Sequence, residues 1–356
     1  AYAAAVVARE VYSRVPGRRA APMASPDSAP GPSLLGVPMK WVSLVLLVAQ
    51  TVSVVFAMRL SRTAASVDGT RYLNTTAVFF SELAKLACSF LFLCQEKGSL
   101  VVAAAEVQER LLRRPGESLK VCVPSLLYTV QNNLLFISLS NLSGAVYQVT
   151  YQLKILTTAL LSVVLLGRAL GPTKWAALLL LTAGVSLIQL PRTSSDDDSE
   201  LDSHAASGNT AVGLCAVLSA CVTSGLAGVY LEKILKQSDA SIWVRNVQLA
   251  FLGSILALVG ALVSDGRLIQ ENGFLQGYSS LVWLVIALQA VGGLVVAAVL
   301  KYADNILKCF GNALSIVLSC LLSAWLLGEF RPDLLFVVGT LLVLAATSMY
   351  SLGLPP

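Results

Sequence analysis

Tyr147, Tyr151, Lys154 and Thr158 follow one another at i, i+4, i+7 and i+11 inside an apolar run. A helix over 144–166 would therefore line up three hydroxyls and one ammonium on a single stripe. No acidic residue nearby in sequence can neutralise Lys154. An unpaired ammonium beside phenols is suited to receiving an anion from solution. In the preceding segment Tyr128, Gln131 and Asn132 share one helical face, with Asn133 at its border. Carboxamides offer donors and acceptors together, the pairing that a nucleobase edge requires. Any single amide is equally explained as interhelical hydrogen-bond glue, worth about 0.6 kcal/mol. The whole set, with Gln148 and Gln152 added, favours a ligand.

The far part of the chain repeats the pattern. Lys308, Asn312, Ser315 and Ser319 again run i, i+4, i+7, i+11, and Lys301 and Asp304 precede them. Asp304 can satisfy only one of its flanking lysines, so the interior carries an excess of two positive charges. Such a cavity attracts a dianion, and two separate ammoniums could each meet a phosphate as point charges. Lys301 alternatively sits at the mouth of the cavity. Glu82 and Lys85, three residues apart, share a face; they are either a self-neutralised structural pair or part of the same polar interior. Ser224, Gly225, Ala227 and Gly228 let helices approach closely, or let a flat ring lie against backbone. No GxxxxGK[ST], HExxH or GxSxG pattern occurs. Nothing therefore activates a nucleophile or a water, and no metal site or cofactor is expected. The chain reads as a carrier, not an enzyme.

These residues need elements to hold them. Of 356 residues, 56% are hydrophobic and 13% charged, about half the charge of a soluble domain. Mean hydropathy is +0.75. Apolar runs near the length of about 20 residues that a bilayer requires recur along the chain. They predict spans at 41–60, 73–95, 119–140, 144–166, 171–190, 211–235, 243–264, 279–300, 305–328 and 333–352. The expected fold is an all-α membrane protein of ten transmembrane helices. Placing lysines and arginines on alternating sides puts fifteen on one side and six on the other, which predicts cytosolic termini. "LLGRALGPTKWAALLLLTAGVSLI" (165–188) echoes "LLGEFRPDLLFVVGTLLVLAATSM" (326–349). Each ends one helix at Leu-Leu-Gly, turns through proline and starts a last helix. Five helices per half reverse the second half, giving two inverted five-helix repeats with a binding site between them.

The predicted organisation is then a disordered cytosolic segment over 1–39, a first repeat over 40–190, an acidic lumenal linker over 191–210, a second repeat over 211–352 and a cytosolic tail over 353–356. Met23 opens "MASPDSAPGPS", so 1–22 read as an upstream artefact. The seven cysteines all fall in predicted spans without a CxxC pair and read as packing residues. His204, in the acidic linker, reads as solvated. Asn74 and Asn141 sit in glycosylation sequons that hug the membrane and are expected to stay unmodified.

"LKVCVPSLLYTVQNNLLFISLSNLSGAVYQVTYQLKILTTAL", "SGLAGVYLEKILK", "WVRNVQL" and "LKYADNILK" resemble the Golgi nucleotide-sugar transporters of the solute carrier 35 A subfamily, within the drug/metabolite transporter superfamily. The resemblance covers about 40–352. It implies a multi-pass Golgi membrane protein that exchanges cytosolic nucleotide sugar for lumenal nucleoside monophosphate. It implies a nucleotide pocket at Tyr128, Asn132, Asn133, Tyr147, Tyr151, Lys154, Ser224, Gly225, Asn246 and Lys308; the residue reading adds Gln131, Lys301, Asn312 and Ser315. "YQLKILTTAL" is closer to the UDP-sugar members than to the CMP-sialic acid members. "RYLNTTAV" and "NGFLQGY" look most like members that carry UDP-N-acetylglucosamine. Where those read "KGFATSLSIVLS", this chain reads "KCFGNALSIVLS" (308–319), which leaves UDP-galactose and other UDP- or CMP-sugars open. The expected partners are a UDP-sugar, UMP and Golgi lipid, with glycosyltransferases or further transporter copies as candidates and no nucleic acid. A non-transporting scaffold for glycosyltransferases is the alternative from another class.

Overall fold

The computed structural model describes residues 33–34, 36–63, 72–113, 115–190, 209–237, 240–326 and 332–352. Residues 1–32, with the disorder expected there, and most of the acidic linker, with His204, lie outside them. Within the first compact unit, residues 1–39, β1 (Ser33–Leu34) pairs antiparallel with β2 (Val37–Pro38), Ser33 opposite Pro38. Gly36 sits between them at φ 81°, a conformation that favours glycine.

The second unit, residues 40–356, is helical throughout its described part. In chain order its helices are α1 (Met39–Thr63), α2 (Asn74–Lys97), α3 (Leu100–Gln108), α4 (Pro115–Leu139), α5 (Gly144–Tyr151) and α6 (Lys154–Leu166), then α7 (Pro172–Gln189), α8 (Thr210–Gln237), α9 (Ile242–Asn272), α10 (Ser280–Tyr302), α11 (Asn305–Leu326) and α12 (Leu334–Leu352). Among the described residues, nine segments are long and apolar enough to cross a membrane, α5 and α6 counting together as Gly144–Leu166. The chain is a multi-pass membrane protein. The predicted span 171–190 forms α7, 18 residues long, outside those nine. Their outward faces are apolar: Val263 and Trp325 are each 80% exposed and Phe136 76%. A water-facing surface of that kind would not stay soluble.

Local chemistry sets the helix ends. Gly98 and Gly167 close α2 and α6 in the left-handed conformation, each at φ 66°. Ser241 caps α9 by accepting the Trp243 N–H, and Pro172 opens α7. One short helix has no counterpart among the predicted spans. α3 and the π-helical turn Glu109–Arg113 occupy the connection after α2, held where Glu106 meets Lys97 at 2.7 Å and Arg110 at 3.5 Å.

Helices from early and late in the chain interleave. α2 packs on α9 and α10, α4 and α6 pack on α8, and α7 packs on α12. Gly184 and Gly339 set the last crossing: a Cβ on either would stand 2.8 Å from the other's carbonyl oxygen. Around it Ile155, Leu178, Leu181, Val185, Phe310, Val317, Phe336 and Val343 form one apolar core where α6, α7, α11 and α12 meet. That core walls the cavity described next.

Candidate substrate cavity

The segment predicted as one helix over 144–166 is two. α5 ends at Tyr151 and α6 begins at Lys154, and the joint is hydrogen-bonded three residues back: Gln152 N–H to Val149 O at 3.2 Å, Leu153 N–H to Thr150 O at 3.1 Å. Such a tightened turn has about three residues per turn, so side chains three apart eclipse. Lys154 is thereby brought over Tyr151, its Nζ 4.0 Å from the ring centroid. One turn earlier Tyr147 lies nearly parallel to Tyr151, centroids 5.8 Å apart at 11°. The predicted stripe lines the cavity as far as Lys154, and the Thr158 side chain meets Cys309 behind that lining. Thr158 is buried and its carbonyl accepts the Ser162 hydroxyl at 2.8 Å.

Beside this joint lies a cavity of about 230 Å³. The joint lines it with Tyr147, Gln148, Tyr151, Gln152, Lys154 and Ile155, α7 with Val185 and Gln189, and α11 with Cys309, Asn312, Ala313 and Ile316. Gln152 Nε2 donates to Gln189 Oε1 at 2.5 Å, fastening the joint to the end of α7. Gln131 Nε2 donates to the Tyr151 hydroxyl at 2.8 Å, fixing the phenol from α4. On the other side α8 presses close: the Thr157 hydroxyl donates to Cys221 O at 2.9 Å. A Cβ at Gly225 would stand 3.0 Å from Leu161 and 3.2 Å from the Thr158 nitrogen. Gly225 therefore serves helix approach, and Ser224 faces the same phenol from α8.

Of the predicted site residues, the cavity thus gathers Tyr147, Tyr151, Lys154 and Asn312, with Gln131 and Ser224 behind the phenol. Lys308 is half-buried one turn before Asn312 and acts on Lys154 electrostatically. Neither Lys154 nor Lys308 has an ion-pair partner among the described residues. Other predicted residues stand apart from the lining. Asn132 is exposed, and Asn133 is exposed and bonded to Thr129 O at 2.9 Å. Tyr128 is half-buried on α4, and Asn246 is 2% exposed within α9. Lys301 faces the Tyr302 ring at 5.9 Å, and the buried Ser315 hydroxyl bonds back to Gly311 O at 2.9 Å. Asp304 pairs with neither flanking lysine; its ion-pair partner is Arg168 at 3.6 Å. Glu82 and Lys85 pair with each other at 2.6 Å in a notch made by glycines. A Cβ at Gly253 would fall 2.5 Å from the Glu82 carboxylate, and one at Gly293 2.6 Å from Lys85 Cδ.

Sequence reasoning singled out Gln148 and Gln152 as polar but left them out of the site, and it missed Gln189. The signal for Gln189 was faint: one amide closing an apolar run, "VSLIQL". Cys309 drew notice only as a departure from the family pattern.

A cavity in the helix bundle with two unpaired ammoniums beside it suits an anionic solute. The nucleotide-sugar transporter profile matches residues 36–351. The chain belongs to the nucleotide-sugar transporter family. Its members are carriers, so the protein is a transporter rather than an enzyme. A UDP-N-acetylglucosamine transporter of Mus musculus is 52% identical over 314 residues, covering 88% of this chain and 95% of that protein. A UDP-N-acetylglucosamine/UDP-N-acetylgalactosamine transporter of Caenorhabditis elegans is 47% identical over 317 residues, covering 88% and 93%. A UDP-galactose transporter of Schizosaccharomyces pombe is 45% identical over 317 residues, covering 89% and 88%. A solved protein chain at 14% identity shares the fold, with a TM-score of 0.61 over 88% of this chain and 98% of the other.

Proposed function

We propose that this nucleotide-sugar transporter is an antiporter that carries UDP-N-acetylglucosamine from the cytosol into the Golgi lumen and returns UMP. The observation that carries the reading is the pair Lys154 and Lys308, two ammoniums on facing helices with no carboxylate between them. At an effective dielectric of about 20, a charge pair 4 Å apart is worth roughly 4 kcal/mol, so a diphosphate there is held strongly. The stacked phenols Tyr147 and Tyr151 offer a face to a ring. The cavity carboxamides offer the paired donors and acceptors that uracil or sugar hydroxyls need. The 52% identity with the mouse UDP-N-acetylglucosamine transporter supports the choice of sugar. UDP-galactose is the second reading, supported by the fission yeast relative and by Asn312 in the altered 309–313 stretch.

The architecture in this reading is ten transmembrane helices, α7 included, in two inverted repeats with both termini cytosolic. Lys154 belongs to one repeat and Lys308 to the other, so a bound diphosphate bridges them. Rocking of one repeat against the other exposes the cavity to each side in turn. An empty cavity would carry two uncompensated charges through the membrane, which is costly and raises the barrier to empty return. Exchange follows from that penalty.

Proteoliposomes preloaded with UMP test the reading. Labelled UDP-N-acetylglucosamine uptake should be stimulated by lumenal UMP and fall about 10- to 100-fold in Lys154→Ala. That loss corresponds to one charge-assisted hydrogen bond of roughly 1.5–3 kcal/mol. Absence of uptake above that of protein-free liposomes, with or without lumenal UMP, would instead favour the scaffold reading.

A further inference from the structure

Beyond the cavity, toward the Arg168 end of the bundle, four charged side chains close on one another. Glu232 on α8 has no exposed surface. Its carboxylate accepts from the Arg168 guanidinium, from Lys236 Nζ at 2.8 Å and from the Asn305 N–H at 3.0 Å. Asp304 meets Arg168 at 3.6 Å and accepts the Leu307 N–H at 2.7 Å. Lys236 also donates to Ala303 O. Two cations and two anions therefore cancel. The two carboxylates also sit at the N-terminus of α11, where the helix dipole favours negative charge.

The cluster has a particular connectivity. Arg168 lies in the turn between α6 and α7, in the early half of the chain, whereas Glu232, Lys236 and Asp304 belong to the late half. Each bond that Arg168 makes thus crosses between the halves that wall the cavity. Packing within the late half is tight at the same point: a Cβ at Gly228 would stand 2.3 Å from Asn305 Nδ2, which fixes the start of α11 against α8. The cluster is also far from the opposite rim of the cavity, where Gln148 is exposed. From Lys154 to the end of α6 is about 18 Å at 1.5 Å per residue.

We propose that Arg168, Glu232, Lys236 and Asp304 form a latch that seals this end of the transporter and parts each time the cavity opens there. Its neutrality keeps the sealed state free of net buried charge. Parting leaves Arg168 on one half and an excess carboxylate on the other, both wetted by the solution that then fills the opening. In the orientation proposed above, this is the cytosolic gate. The inference rests on the transport reading but not on which sugar is carried.

Cys309, which lines the cavity, supplies the probe. In sealed proteoliposomes, with the other six cysteines replaced by alanine, a membrane-impermeant maleimide is applied from the Arg168 side and no substrate is present. Arg168→Gln and Glu232→Gln should raise the Cys309 labelling rate at least about tenfold over the parent and slow UMP-driven exchange. Arg168→Lys, which keeps the charge but loses the planar fork, should fall between. UMP should still raise the melting temperature of each variant, since the cavity is intact. Labelling unchanged in variants that still respond to UMP would overturn the latch. Should Arg168→Gln fail to fold, Arg168→Lys decides alone, by faster or unchanged labelling. Faster labelling without UMP stabilisation in the parent would uphold the latch while overturning the substrate reading.

Discussion

The Lys154 ammonium rests on the face of the Tyr151 ring, 4.0 Å from its centroid, and the Tyr151 hydroxyl in turn accepts a hydrogen bond from Gln131 at 2.8 Å. A ring face attracts a cation without neutralising it, by about 0.5–2 kcal/mol. Lys154 is therefore positioned yet still available to a phosphate, which a carboxylate partner would have prevented.

Tyr151 can be divided into its two parts. Tyr151→Phe keeps the ring and removes the acceptor, leaving the buried Gln131 amide without its partner. A lost hydrogen bond of about 1 kcal/mol should lower UDP-sugar exchange roughly fivefold. Tyr151→Ala also removes the platform and should cost about ten times more than Tyr151→Phe. Exchange rates of the two variants, with UMP-dependent melting as the fold control, check the order.

The places of the long helices were legible because lipid-facing helices must be apolar whatever surrounds them, but their number was not: the predicted span 144–166 is two helices, α3 was not foreseen, and nine segments among the described residues, not ten, are long and apolar enough to cross a membrane. The joint at Gln152–Leu153 was not legible. No proline or glycine marks it, and its cause is tertiary: Gln152 is pulled toward Gln189 on another helix. The same limit explains the mixed outcome at the site. Periodicity put Lys154 with the phenols and Asn312 one turn beyond Lys308, and the cavity gathers Tyr147, Tyr151, Lys154 and Asn312. It could not tell that Asn132 and Asn133 are exposed on α4 outside that lining, nor that Asp304 is drawn away from its neighbouring lysines by Arg168, a residue far off in sequence.

If Lys154 and Lys308 hold the phosphates, the phosphate and not the base is the main source of affinity. Uridine should compete at least about 100-fold less well than UMP. Protonation sets the sign of a pH effect: a phosphomonoester has its second pKa near about 6, so UMP is a dianion above that value and a monoanion below it. Competition by UMP should weaken as pH falls from about 7 to about 5, while UDP-sugars, which have no such second ionisation, should be much less affected. Inhibition curves for all three at both pH values provide the comparison.

Glu82 and Lys85 behave as one unit in the glycine notch of α9 and α10. Removing one charge leaves the other stranded in an apolar bundle, at a cost of roughly 3 kcal/mol. Glu82→Gln and Lys85→Met should each lower the melting temperature in detergent markedly, and the double variant should recover most of the loss. Additive losses in the double variant would show that the two do not act as a pair. Gly253→Ala should resemble Glu82→Gln, because its methyl group would take the carboxylate's place.

Asn312 stands in the cavity one turn beyond Lys308, in the stretch 308–319 where the sequence departs from the pattern it otherwise resembles. If Lys154 and Lys308 hold the phosphates, a side chain at that position meets a part of the solute other than the phosphates. Asn312→Ala removes donor and acceptor together and should lower UDP-N-acetylglucosamine uptake roughly fivefold, the value of one hydrogen bond of about 1 kcal/mol. Asn312→Thr keeps a hydroxyl and should retain most of it. UMP contains no sugar beyond its ribose, so its inhibition constant separates two cases. An unchanged constant for UMP in Asn312→Ala, with reduced discrimination between UDP-N-acetylglucosamine and UDP-galactose, places Asn312 against the transported sugar. An equal loss for UMP and both UDP-sugars would place it against the nucleoside instead and remove it from the choice of sugar.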